Sequence, residues 1–366
     1  MILASCRFTP WLSPCAGHTF YNPTPPNEPS VHPTSPPSSP SPPTAAAPNA
    51  ATLMAADMRE VDGVIQHRLT SDVAMINQIA NYIISAGGKR IRPMLVLLFS
   101  SALGFAGRER FELAATVEFI HTATLLHDDV VDESALRRGR STANALFGNA
   151  ASVLVGDFVY SRAFQMMVSV NRLRVLEVLA DATNVIAEGE VLQLMNLHDP
   201  DLSVEDYLRV IRFKTAKLFE ASARLGAVLA EARPEVEESC AAYGRALGTA
   251  FQLIDDLLDY EGATVELGKN VGDDLREGKP TLPLLLAMER GSADERNLIR
   301  HVIEHGGVAR LPEIVDIVRH TGAIAATRDA ARSEARKAGN ALDVLAPSVF
   351  REALLELSFR SVERSS

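Results

Sequence analysis

Six aspartates stand in two clusters: Asp128, Asp129 and Asp132 within LLHDDVVDESALRRGR, and Asp255, Asp256 and Asp259 within FQLIDDLLDY. Both lie in apolar sequence of helical period. Carboxylates at that density repel one another and need a cation. On a helix Asp128 and Asp132 are one turn apart on one face, as are Asp255 and Asp259, while Asp129 and Asp256 point about 100° away. Magnesium keeps several waters and takes one or two protein carboxylates alongside substrate phosphate oxygens. Two open carboxylate faces therefore predict Mg2+ at a site completed by a diphosphate.

Cationic and hydrogen-bonding residues surround these clusters in the sequence. AGGKRIRPML offers two glycines for close backbone approach, Lys89 and Arg92 as cations, and Pro93 at a helix start. His121, Thr124, Asp128 and Asp132 fall in one stripe of a helical wheel, so His121 faces the space of the metal; His127 lies off the stripe and reads as structural. Arg137 and Arg138 open an RRGR turn, and guanidinium groups grip phosphate oxygens bidentately. Further donors follow at Lys214, Thr215, Gln252, Lys269 and Lys279.

These parts predict ionisation of an allylic diphosphate. Magnesium and the basic side chains would stabilise charge on the departing diphosphate. An apolar cavity would keep water from the allylic cation until a homoallylic substrate attacks it. No protein nucleophile is needed, in keeping with the lack of any persuasive Ser/His/Asp or Cys/His arrangement.

Positioning such residues requires helices. From about residue 55 Leu, Ala, Ile and Val recur at three- and four-residue spacing, which predicts an all-α domain. Breaks are expected at Gly87-Gly88, Gly104 to Gly107, Arg138 to Ser141, His198 to Ser203, Arg233-Pro234, Gly262 to Pro280, Gly291-Ser292 and Gly306-Gly307, leaving about ten helices. The aspartate helices must then face each other across a bundle interior. Residues 1–52, rich in Pro and Ser, read as a disordered tail or as sequence ahead of a true start at Met54 or Met58, and 53–366 as the domain. The net charge of −10 arises after residue 50, since Arg7 and Glu28 cancel, and argues against nucleic-acid binding. Cys6, Cys15 and Cys240 are too scattered for a disulfide framework, which fits the cytoplasm. No apolar run is long enough to span a bilayer, although a greasy product could draw the protein to a membrane surface.

GGKRIRP, HDDVVDES followed by RRG, GDF at 156–158, the Lys214-Thr215 pair, FQLIDDLLD and GDDLREGKPTLP occur in the order and spacing of the trans-polyprenyl diphosphate synthases, which the chain resembles from about residue 55 to its end. The resemblance is greatest to the bacterial octaprenyl-making branch, which supplies the side chain of respiratory quinones. It implies a single-domain isoprenoid synthase (trans-prenyltransferase) helical bundle with a central active-site cavity, acting as a homodimer. It assigns Lys89, Arg92, His121 and Arg138 to isopentenyl diphosphate. Arg137, Lys214, Thr215 and Gln252, joined by Lys269 and Lys279, would hold the allylic diphosphate, with farnesyl diphosphate as the expected primer. Asp128 and Asp132 would bind one magnesium and Asp255, Asp256 and Asp259 a further one, while Asp128, Asp129, Asp132, Arg137, Lys214, Asp255 and Asp256 carry the ionisation step.

Chain length should depend on what blocks the growing product. Ala123 and Thr124 are small where short-chain relatives place aromatics, and Met167 and Leu179 are candidates for the channel floor. Alternatives are a shorter-chain, geranylgeranyl-type synthase, a class I terpene cyclase, and a non-catalytic prenyltransferase subunit. The cyclase has no use for a second diphosphate cradle, and such subunits lack one or both clusters.

Overall fold

The structure is a computed structural model that describes residues 49–85, 87–137, 139–261 and 272–363. Arg138, Lys269 and all but the last few residues of the expected tail lie outside the described residues. In chain order the helices are α1 (Ala50–Leu53), α2 (Ala55–Leu69), α3 (Ala74–Ser85), α4 (Ile91–Ala102), α5 (Glu109–Val131), α6 (Ala143–Phe147), α7 (Asn149–Ser169) and α8 (Leu173–Met195). There follow α9 (Val204–Ile211), a π turn (Arg212–Ala216), α10 (Lys217–Leu229), α11 (Pro234–Glu261), α12 (Asp273–Arg276) and α13 (Leu282–Arg290). The chain continues through α14 (Ala293–His305), α15 (Leu311–His320), α16 (Ala323–Ala341) and α17 (Val349–Arg360). Among the described residues the only strands are β1 (Leu136–Arg137) and β2 (Arg140–Ser141), an antiparallel hairpin where the sequence predicted a basic turn.

The all-α expectation holds, but the seventeen α-helical segments among the described residues exceed the expected ten or so. The extra breaks carry weak sequence signals. Asn171, in the left-handed region at φ 55°, separates α7 from α8, and single glycines, Gly148 and Gly322, divide α6 from α7 and introduce α16. Gly291-Ser292 does act as read, since Ser292 and Glu295 form a reciprocal capping box at the start of α14.

The apolar stripes meet in two cores joined by α11. The first lies among α2, α4, α5, α7, α8, α10 and the N-terminal half of α11; the second gathers on the C-terminal half of α11 with α9 and α13 to α16. At 28 residues α11 runs about 42 Å and is buried around much of its circumference, as a central helix must be. Cys240, Tyr243 and Leu247 belong to the first core, and Leu253, Ile254 and Leu257 to the second. The aspartate cluster on α11 therefore lies on the half of the helix that builds the second core.

Candidate active site

Both acidic clusters occupy the C-terminal turns of their helices. Asp128 and Asp129 lie in the last turn of α5 with Asp132 as its C-cap, and Asp255, Asp256 and Asp259 lie in the last turns of α11. A helix C-terminus already carries partial negative charge from unsatisfied carbonyls, so acids placed there are destabilising until a cation joins them. The arrangement stores a demand for positive charge.

Two lysines meet part of it. Lys214, on the π turn, has its Nζ 2.6 Å from Glu190 Oε2 and 3.8 Å from Asp128 Oδ2. Lys279 pairs with Glu277 and stands 3.8 Å from Asp132 Oδ2. Burial alone would lower the Lys279 pKa, but Asp274, Asp132 and Glu277 outweigh it and hold the ammonium group charged. Since Asp274 adjoins the α11 cluster and Asp132 ends α5, Lys279 ties one acidic wall to the other.

The carboxylates are themselves perturbed. Burial raises Asp128 above the ordinary range against the pull of Lys214, with Asp132 adding to the rise. Burial, opposed by Lys214 and assisted by Asp128, lifts Glu190 to about 7. Burial and the neighbouring Asp274 lift Asp259 to about 8, although it accepts backbone N–H bonds from Gly272 (3.1 Å) and Asp274 (3.2 Å). Asp255 is the exposed member of its trio.

Asp256, expected as a metal ligand, has other partners. Its Oδ2 accepts from the Tyr207 hydroxyl at 2.5 Å and its Oδ1 from Gln252 Nε2 at 2.7 Å, and the residue is buried. Burial and Asp274 raise it to about 7 against those two donors. Gln252 in turn accepts from the Thr215 hydroxyl at 2.9 Å, so Thr215, Gln252, Asp256 and Tyr207 form one chain from the π turn to α9. Asp129 likewise points inward. It is fully buried and accepts from Arg137 Nε at 2.8 Å, which fastens the β1 strand to α5 and commits part of the guanidinium expected at substrate. Both placements follow the wheel, on which Asp129 diverges from Asp128 and Asp132, and Asp256 from Asp255 and Asp259.

In the expected isopentenyl cradle, Gly87 (φ 70°) and Gly88 (φ 155°) carry the chain into α4, and Lys89 is exposed. The helix begins at Ile91, two residues before Pro93, which sits in the first turn where no N–H is needed. The Arg92 guanidinium stacks 4.4 Å over the Phe219 ring, which orients its fork. His121 is half-buried on α5, and the Thr124 hydroxyl turns back to the His121 carbonyl at 2.9 Å. Ala123, Met167 and Leu179 are closed off from solvent within the first core.

Among the described residues no three acidic, His or Cys side chains converge as a complete metal cage. A divalent cation at such a site would complete its shell with phosphate oxygens. Asp128, Asp132, Asp255 and Asp259 are the residues whose chemistry and placement fit the ion.

Glu190, Asp274 and Tyr207 escaped the sequence reading. A lone glutamate on a helix looks like surface charge, and Tyr207 lies 49 residues from its partner Asp256. Asp274 stands in GDDLREGKP, where spacing alone does not distinguish it from Asp273.

The raised carboxyls set a pH dependence. Their protonated forms are favoured by the fold, so their contribution to stability is complete below the ordinary carboxylate range and is lost as pH rises through about 7 to 8. Without divalent metal, the Tm is expected to fall by several degrees between pH 5.5 and pH 8.5. Asp259→Asn should make that slope shallower whatever its own Tm, and magnesium with diphosphate should flatten it in the parent. A parent Tm that is level across this range would count against the arrangement.

Comparison with known proteins agrees with this geometry. The family profile described as polyprenyl synthetase matches residues 73–318. The octaprenyl diphosphate synthase of Escherichia coli strain K12 is 57% identical over 313 residues, covering 85% of this chain and 97% of that protein. The enzyme of the same name from Haemophilus influenzae is 52% identical, covering 84% and 94%. Among solved structures, the polyprenyl synthase of Caulobacter crescentus CB15, complexed with calcium and isoprenyl diphosphate, superposes with a TM-score of 0.84 at 48% identity, covering 87% of this chain and 97% of that one.

Proposed function

The chain belongs to the polyprenyl synthetase family, and from that premise we propose that it adds isopentenyl diphosphate repeatedly, head to tail, to an allylic diphosphate. Farnesyl diphosphate is the proposed primer and octaprenyl diphosphate, destined for a quinone side chain, the proposed product. The names of the two bacterial relatives support eight units. The observation that carries the reading is the pair of lysines lodged between acidic side chains, Lys214 at Asp128 and Glu190 and Lys279 between Asp132 and Asp274.

Bound magnesium, held by Asp128 and Asp132 on one wall and by Asp255 and Asp259 on the other, would supply Lewis-acid neutralisation of the allylic diphosphate. The chain's own residues do the rest. Lys214 and Lys279 exchange a carboxylate for a phosphate oxygen and so stabilise the charge that grows on the leaving group. Arg137, itself oriented by Asp129, adds a guanidinium beside the same wall. Tyr207 holds Asp256, and through Gln252 steadies Thr215; burial keeps the Tyr207 hydroxyl protonated and able to donate. Lys89, Arg92 and His121, with Arg138, hold isopentenyl diphosphate so that its double bond faces the allylic carbon. The apolar core beneath excludes water from the cation, and the departing diphosphate takes the proton released after attack. Lys269 and Arg138 enter this reading on sequence resemblance alone.

We place the enzyme in the cytoplasm as a homodimer. Among the described residues no helix is long and apolar enough to cross a membrane. Val153, Leu154, Phe164 and Val168 stand exposed along α7, which supports pairing through that helix.

Incubation of the purified chain with isopentenyl diphosphate, farnesyl diphosphate and magnesium tests the reading. A ladder of linear products ending near eight units is expected by mass spectrometry. Cyclic hydrocarbon, or no incorporation of isopentenyl carbon, would refute it.

A further inference from the structure

The π turn Arg212–Ala216 coincides with the Lys214-Thr215 pair. Its wider ring of backbone hydrogen bonds marks an inserted residue, and such bulges recur at functional sites. Here it sends Lys214 toward α5 and α8 and Thr215 toward α11. What keeps it in place is contact without side chains. A Cβ added to Gly189 of α8 would lie 2.5 Å from Lys214 N, 2.8 Å from Phe213 C and 2.9 Å from Lys214 Cα. From the other side, a Cβ on Gly248 of α11 would lie 2.6 Å from Ala216 Cα and 3.0 Å from its Cβ. Real Cβ atoms do not approach backbone so closely, so an alanine at either position must push the turn away.

We propose that Gly189 and Gly248 are positioning residues for elongation: from opposite helices they pinch the π turn so that Lys214 and Thr215 meet the allylic diphosphate in register. The inference rests on the functional reading above. Packing alone is the competing explanation, since glycines at helix crossings often serve only close approach. Gly226 is such a case and provides a control. Its added Cβ would be as tight, 2.5 Å from Phe99 Cβ and 2.8 Å from Ser100 N, but against α4 and not the π turn.

The experiment compares wild type, Gly189→Ala, Gly248→Ala and Gly226→Ala by steady-state kinetics, with each substrate varied in turn and Tm recorded. Displacing Lys214 by an ångström is expected to lower kcat/KM for farnesyl diphosphate about 10²-fold in Gly189→Ala, and somewhat less in Gly248→Ala. KM for isopentenyl diphosphate should stay within about twofold, because its cradle lies on α4 and α5. Gly226→Ala should lose Tm but keep both constants. The inference fails if the two pinch variants retain wild-type constants for the allylic substrate, or if Gly226→Ala loses them equally. It fails also if both pinch variants do not fold while Gly226→Ala does, because a local pinch would spare the bundle. Absence of elongation by the wild type would remove the functional reading and this inference with it.

Discussion

Asp128→Asn is expected to reduce turnover by about 10³-fold while leaving the protein folded. The position is costly for a charge: burial raises its pKa, and Asp132 opposes its ionisation. A neutral isostere relieves that repulsion, so the Tm should hold or rise even though Lys214 loses a partner. Asp129→Asn should behave in the opposite sense. Asp129 is fully buried and bound to Arg137, and losing that charge-assisted bond costs about 2 kcal/mol. Its Tm should therefore drop, with a smaller loss of turnover per folded molecule. Kinetics and thermal melts on the two variants separate the aspartate proposed to face the metal from the one bound to Arg137. Equal losses of turnover at unchanged Tm would show that the two share one role.

Ala123→Tyr should cut the product from about eight isoprene units to three or four, with isopentenyl incorporation still measurable. Ala123 lies five residues before Asp128 on α5, about 7.5 Å down the helix axis, and is closed off from solvent. Beside it, Thr124 turns its hydroxyl back to the His121 carbonyl, so the side chain presents its methyl group. A phenol ring there would fill the path within a few units of the diphosphate, at an overpacking cost of about 1–3 kcal/mol. Mass spectrometry of the extracted product reads the outcome, and an unchanged length excludes this path. The same assay on variants of Met167 and Leu179, both buried in the same core, locates the floor.

Much of this was legible in the sequence because its signals are local. The three- and four-residue spacing of Leu, Ala and Val defines α5 and α11, and the one-turn spacing of Asp128 with Asp132 and of Asp255 with Asp259 puts carboxylates on one face. Even the divergence of Asp129 and Asp256 follows from the helical angle. Their partners do not, because Arg137 and Tyr207 reach them through tertiary packing that no spacing encodes. Glu190 becomes part of the site only when α8 is laid against the π turn. The π turn itself leaves no mark in RFKTA, since one inserted residue in a helix preserves its composition. Asn171 gives no warning of the break, because in sequence an asparagine that will adopt the left-handed region resembles any other polar residue on a helix.

The chain from Thr215 to Tyr207 has a polarity. An ionised Asp256 accepts from both sides, so the Gln252 amide must turn its nitrogen toward Asp256 and its oxygen toward Thr215. The Thr215 proton is thereby spent on Gln252, and in this arrangement the hydroxyl has only lone pairs left for a further partner. Delivering that proton to a phosphate would take a half-rotation of the carboxamide and a proton on Asp256. The orientation of one amide thus links the ionisation of a buried acid to whether the Thr215 hydroxyl can donate or only accept.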